Sequence, residues 1–179
     1  MNKREERDHK FKLLFSAQFY PGAEFPEQLK HYFESPDYED GNQVVHVEEL
    51  SEMDEWKLKD DVEKILAVLP ELDARIDSMT EGWTTRRMSK TDLTILRLAL
   101  YEMEHDETVP EKVSINEAVE LAKKYGGPES GSFVNGVLAR ILRNEQPAAS
   151  ADKKPGKEKK GELTEKKQGG KKMHILINK

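Results

Sequence analysis

The chain has 179 residues, 36% hydrophobic and 36% charged, with a formal net charge of −6 and no cysteine. Those values suit one soluble domain with a modest core, and the missing thiols exclude disulfides, thiol nucleophiles and cysteine metal sites together. No apolar run approaches the roughly 18 residues of a membrane span, and the charged start lacks the apolar stretch of a secretory leader, so a cytoplasmic protein is expected.

Taken in order, the chain reads as helix after helix. Phe11, Leu14, Phe15 and Phe19 recur at helical spacing and predict a first helix from about Lys3 to Phe19, stopped by Pro21-Gly22. A short second helix follows, with Phe25, Leu29, Tyr32 and Phe33 on one face. Ser35 to Asn42 reads as a polar connection, and Val44-Val45 with Val47 as an extended lead-in to the next helix. That helix spans about Ser51 to Leu69 and offers Leu58, Val62, Ile65 and Leu66. Pro70 then interrupts a pattern that continues through Leu72, Ile76 and Met79, so a kink or a break between two helices is expected.

Gly82-Trp83 ends that section. Ser89 with Asp92 resembles a capping start for a helix to about Glu104, apolar almost all round (Ile95, Leu96, Leu98, Leu100, Met103) and therefore central. Ser114 with Glu117 reads as a second capping box, with Val113 and Ala118 at the staple positions. Gly126 is expected in the left-handed conformation that ends this helix, and Pro128 prevents its resumption. A last helix carries Phe133, Val134, Val137, Leu138, Ile141 and Leu142. The glycine of Asn135-Gly136 costs about 1 kcal/mol against alanine in a helix, which points to close backbone approach there.

The remainder, 146–179, is rich in Lys, Gly, Glu and Pro and reads as a disordered basic tail after a folded domain of residues 1–145. Its tip, Met173-His174-Ile175-Leu176-Ile177, is a small apolar cluster. The tail holds ten lysines against four acidic residues, a surplus of six positive charges, so the body carries −12. An acidic body argues against nucleic-acid binding by bulk electrostatics and requires any RNA to be met by a local basic patch or with a partner's help.

Catalysis has little support. His9, His31, His46, His105 and His174 never fall three or four residues apart, and no metalloprotease, nucleophile-elbow or phosphate-loop motif appears. Lys3, Arg4, Arg7, Lys10 and Lys12 cluster instead at the start of the first helix, whose N-terminus adds its own positive dipole end. Lys3, Arg7 and Lys10 share one face, with Arg4 beside it. Such a strip suits successive RNA phosphates, and arginine also stacks on unpaired bases. The competing reading is a solvated helix end neutralised by Glu5, Glu6 and Asp8.

Four blocks in sequence resemble the NusB family of bacterial transcription antitermination factors. They are K-R-E-E-R-x-x-x-F-K-L-L-F from Lys3, W-x-x-x-R-M-S-K-x-D-L-x-I-L-R-L-A-L-Y-E-M from Trp83, V-P-E-K-V from Val109, and V-S-I-N-E-A-V-E-L-A-K-K-Y-G with F-V-N-G-V-L, ending in the last helix. The resemblance spans residues 3 to 143. It implies an all-α fold of two small helical bundles packed together, without enzyme activity, metal or cofactor. It further implies binding of single-stranded boxA RNA from ribosomal RNA leaders, jointly with the ribosomal protein NusE, within an elongation complex containing other Nus factors.

Carried over position by position, the resemblance puts RNA on Lys3, Arg4 and Arg7 and on Glu129, Ser130 and Phe133, with Phe133 stacking a base or packing in the core. It puts the protein partner on Phe15 and Asp92. The first helix departs from the family's near-continuous arginine run, and weaker or more partner-dependent RNA binding is the expectation. Trp83, Arg86, Arg87, Arg97, Tyr101, Glu102, Asn116 and Asn135 are expected to make buried packing contacts, Arg97 and Asn116 fastening the two bundles together. The alternative function is a helical protein–protein interaction module that does not touch RNA.

Overall fold

A computed structural model describes residues 1–20, 22–34, 37–40, 43–46 and 50–143, with backbone alone for 37–40 and 43–46. The expected tail, its apolar tip and the boundary at 145 lie outside the described residues. Among the described residues there are seven α-helices: α1 (Lys3–Ala17), α2 (Phe25–Glu34), α3 (Glu52–Ala67), α4 (Leu69–Met79), α5 (Lys90–His105), α6 (Glu111–Tyr125) and α7 (Ser130–Arg143). Helices α1 to α3 form one bundle and α4 to α7 the other, and α5 touches members of both.

The reason lies in α5 itself. Leu93, Ile95, Leu96, Leu98, Ala99 and Leu100 leave it almost no polar face, so it is stable only when surrounded. Ile95, Leu96 and Leu100 are fully buried, against Leu58, Val62, Ile76, Val134 and Leu138 from its neighbours. Ser89 caps it, its hydroxyl accepting from the Asp92 N–H at 3.0 Å. The pattern break at Pro70 is a true break: α3 stops at Ala67, and Pro70 occupies the first turn of α4, where its missing N–H costs nothing. α1 opens on Asn2, whose side chain accepts from the Arg4 and Glu5 N–H groups while Glu5 reaches back to the Asn2 N–H at 2.9 Å.

Several expectations are corrected. Part of the connection between α2 and α3 pairs as a hairpin, β1 (Asp37–Asp40) antiparallel to β2 (Gln43–His46), with Tyr38 opposite Val45. The β-branched pair Val44-Val45 favours a strand. Ser114 is no cap: α6 begins one turn earlier, after Pro110, and Ser114 is buried within it. Gly126 is extended, with φ −95° and ψ −176°, rather than left-handed. Its lack of a Cβ matters for space, since a Cβ there would strike the Ser130 side chain and lie 2.7 Å from the Ala122 carbonyl oxygen. Gly136 meets nothing within 4 Å of a built Cβ, so close backbone approach does not explain it.

Candidate nucleic-acid interface

The start of α1 lies against α5 and α6, and its cations divide by depth. Arg7 is turned inward: its Nε and Nη2 donate to the Glu102 carboxylate of α5 at 2.9 and 2.6 Å, with Glu117 of α6 at 3.8 Å. Both side chains of that pair are nearly buried, 10% and 12% exposed. Burial works against the Arg7 charge, but the Glu102 hydrogen bonds outweigh it and hold the guanidinium firmly protonated. Arg7 therefore fastens the first bundle to the second, the role expected of Arg97 and Asn116. Arg97 instead makes a bidentate pair with Asp73 of α4, at 2.7 Å for both bonds, inside the second bundle.

Arg4 faces the opposite way. Its side chain is 74% exposed while it grips Glu117 through Nε at 3.1 Å and Nη2 at 2.9 Å. The Arg4 hydrogen bond holds the Glu117 carboxyl below its ordinary range. Lys3 is exposed and reaches Asp106 at 3.4 Å. Lys10 is drawn in between Glu6 and Asp61, both at 2.6 Å, and Lys12 pairs with Asp8 at 2.9 Å. Burial raises the Asp8 carboxyl, but bonds from Lys124, Lys12 and Tyr125 prevail and hold it at about 2. All five cations thus meet carboxylates, and those carboxylates come from α3, α5 and α6 as well as from α1 itself.

Three concavities run along this face and share their edges. The first, about 420 Å³, lies between α1 and α6, lined by Arg4, Arg7, Glu117, Leu121 and Lys124 among others. The second, about 580 Å³, lies between α6 and α7 and includes Arg4, Asn116, Lys123, Ser132 and Asn135. The third, about 390 Å³, includes Ser132, Phe133, Gly136, Arg140 and Trp83. Arg4 borders the first two and Ser132 the last two, so the three hollows adjoin in series from the cationic helix start to the aromatic end. At that end the Phe133 and Trp83 rings lie 6.4 Å apart at 57°.

Local sequence explains these placements. Gly82, with φ +72°, turns the chain after α4, and Asp77 holds the next stretch by accepting from the Thr85 N–H at 2.6 Å. Trp83 is held between them with 59% of its surface exposed. Ser130 is buried, its hydroxyl accepting from the Gly127 N–H at 3.0 Å, so it shapes the loop that presents Glu129 and Phe133. Glu129 is exposed, and Phe133 is half-buried at the edge of the core. Trp83, Arg86, Arg87, Asn116 and Asn135, expected inside, are all on the surface. A tryptophan directly after Gly82 and three residues before Arg86-Arg87 was the available signal for Trp83.

The two residues assigned to a protein partner lie elsewhere. Phe15 is half-buried in an aromatic row, 5.9 Å from Phe11 and 5.3 Å from Phe19. Phe19 is 51% exposed, with the Lys90 ammonium 5.1 Å above its ring. Asp92 begins α5 close to that lysine in sequence. Its N–H engages Ser89, but one carboxylate oxygen is buried without a partner among the described residues, so the capping box is only half made.

A helical scaffold with a row of adjoining surface hollows, cations at one end and aromatics at the other, has the architecture of a binding protein for an extended polar ligand. Among the described residues no group of His, Asp and Glu is placed to hold a metal ion, and no helix is long and apolar enough to cross a membrane. Comparison with known proteins makes the assignment specific. The NusB family profile matches residues 4–143, and the chain belongs to the NusB family. It is 42% identical over 142 residues to the transcription antitermination protein NusB of Lachnoclostridium phytofermentans, covering 79% of this chain and 99% of that protein. The Agathobacter rectalis protein of the same name is 42% identical over 143 residues, with the same shares covered. Among solved structures, NusB of T. maritima aligns with a TM-score of 0.67 and 31% identity over 82% of this chain and 94% of that one. A NusB solved with NusE and double-stranded RNA aligns with a TM-score of 0.59 at 22% identity, covering 80% and 99%, and attests the shared fold.

Proposed function

We propose that this protein acts as a transcription antitermination factor, an RNA-binding adaptor rather than an enzyme, working in the cytoplasm. It engages a single-stranded boxA-type element of ribosomal RNA leaders together with NusE, within an elongation complex that includes other Nus factors. The observation that carries this reading is the row of adjoining hollows from Arg4 to the Trp83–Phe133 pair. Exposed cations meet phosphates at one end, and aromatic faces receive unstacked bases at the other. Arg4, Arg7 and Phe133 line that path, and we assign exposed Lys3 and Glu129 to RNA contact beside it, with buried Ser130 shaping the loop that presents Glu129.

The ion pairs account for restraint. In the free protein the Arg4 guanidinium already holds the Glu117 carboxylate, so an RNA phosphate must replace an existing partner. Binding by the isolated protein is correspondingly weak, and NusE supplies the balance through the Phe15–Asp92 side. The folded domain, residues 1–145, carries these surfaces, with 146–179 as a basic extension. A titration of fluorescent boxA RNA against the protein, with and without NusE, tests the reading. Binding strengthened by NusE and weakened by Arg4→Ala is expected. RNA binding indifferent to Arg4 favours the purely protein-binding module.

A further inference from the structure

Gly136 is the residue least accounted for by the fold. It lies in the interior of α7, where glycine weakens a helix, yet a Cβ built there meets nothing within 4 Å. No protein group therefore requires its bareness. It is exposed in the hollow of about 390 Å³, with Phe133 one turn before it and Arg140 one turn after it on the same helix face. Trp83 lines the same hollow from the turn after α4. The Phe133 and Trp83 rings, 6.4 Å apart and tilted by 57°, are not stacked on one another. Arg140 is exposed and makes one hydrogen bond among the described residues, Nη1 donating to the Met79 carbonyl oxygen at 3.3 Å. Unlike the five cations at the start of α1, it pairs with no carboxylate among those residues, although Glu81 also lines the hollow.

We propose that Gly136 is a notch for one unstacked RNA base, which lies against the bare helix backbone beside Phe133 and Trp83 while Arg140 holds the adjoining phosphate. A base is flat, and its faces shed water most fully against a surface without projecting side chains. Glycine gives α7 one such place, whereas any other residue at 136 raises a side chain into the open space above it. The two rings supply stacking partners at its margin. Stacking tolerates any sequence because every base has a π-face, so the notch adds affinity rather than base selection. A guanidinium with one bonded N–H keeps donors for a phosphate, and its planar fork suits that partner. The inference rests on the RNA-binding reading above and deepens it, by making an unexplained helix glycine part of the site.

The test is equilibrium binding of fluorescent boxA RNA at low salt to the full chain and to its Gly136→Ala, Gly136→Leu and Arg4→Ala variants. Alanine and leucine are better helix formers than glycine, so both Gly136 variants melt about 2–4 °C above the parent. Their RNA affinity falls nonetheless, by about threefold for alanine and about tenfold for leucine. Trp56→Phe leaves Trp83 as the sole tryptophan, and saturating RNA quenches its fluorescence in that parent but less once Gly136→Leu is added. Stability and affinity moving in opposite directions is a pattern that a packing role does not produce. If both Gly136 variants bind RNA like the parent while Arg4→Ala weakens binding, the notch is overturned and RNA binding stands. If Gly136→Ala melts below the parent, the glycine serves the fold, and the notch is overturned as well. If Arg4→Ala and both Gly136 variants all bind RNA like the parent, the RNA-binding reading falls and this inference with it.

Discussion

Replacing Arg7 by methionine separates the structural from the ligand-binding cations. Arg7 and Glu102 are 10% and 12% exposed and joined by bonds of 2.6 to 2.9 Å, so methionine leaves a nearly buried carboxylate without its principal partner. Breaking a buried pair from one side costs about 3–5 kcal/mol, and the remaining access to water places this site near about 3. With a urea slope of about 1.5 kcal/mol per molar, the unfolding midpoint falls by about 2 M. Arg7→Met combined with Glu102→Leu removes both charges and recovers much of that loss, because no orphan carboxylate remains. Urea unfolding followed by far-ultraviolet circular dichroism on the parent, the single and the double variant measures both effects. A single variant with an unchanged midpoint and lost RNA affinity refutes the reasoning and restores Arg7 to direct RNA contact.

Asp8 has a folded-state value of about 2 against an ordinary 3.8, so its share of stability is complete above about pH 4 and disappears as the pH falls toward 2. Asp8→Asn lowers stability at neutral pH by about 2 kcal/mol and flattens that part of the acid-unfolding curve. Gly126→Ala places a methyl group against Ser130 and the Ala122 carbonyl, and costs about 1–3 kcal/mol in thermal or urea unfolding although its backbone angles suit alanine. A variant as stable as the parent there would mean the two helices separate freely. Trp83→Ala weakens RNA binding by about 1–3 kcal/mol with little loss of stability, because the ring is 59% exposed. Fluorescence anisotropy and a melting curve on the same preparation distinguish this from a folding defect.

Periodicity and local punctuation revealed most of the helices. Pro70 marks the break between α3 and α4, Ser89 the cap of α5, and the nearly all-apolar run from Leu93 to Leu100 its central position. Where motifs competed, local reading erred. Ser114 with Glu117 has the spacing of a capping box, yet Pro110 with its fixed backbone begins the helix earlier, leaving Ser114 inside and Glu117 to hold Arg4. The division of labour between Arg4 and Arg7 was not legible, because the partner that draws Arg7 inward is 95 residues away in sequence. Helical spacing groups Lys3, Arg7 and Lys10 on one face but does not say that α5 and α3 cover two of them. Asn116 and Asn135 look like packing residues beside apolar neighbours, and only the facing of α6 and α7 shows them lining a trough.

Ultraviolet crosslinking of a boxA RNA to the protein–NusE complex, read by mass spectrometry of the crosslinked peptides, tests the central claim most directly. The account predicts crosslinks on the peptides holding Trp83 and Phe133 and on the N-terminal peptide holding Arg4. RNA retained by the complex but crosslinked only outside those three peptides would contradict it.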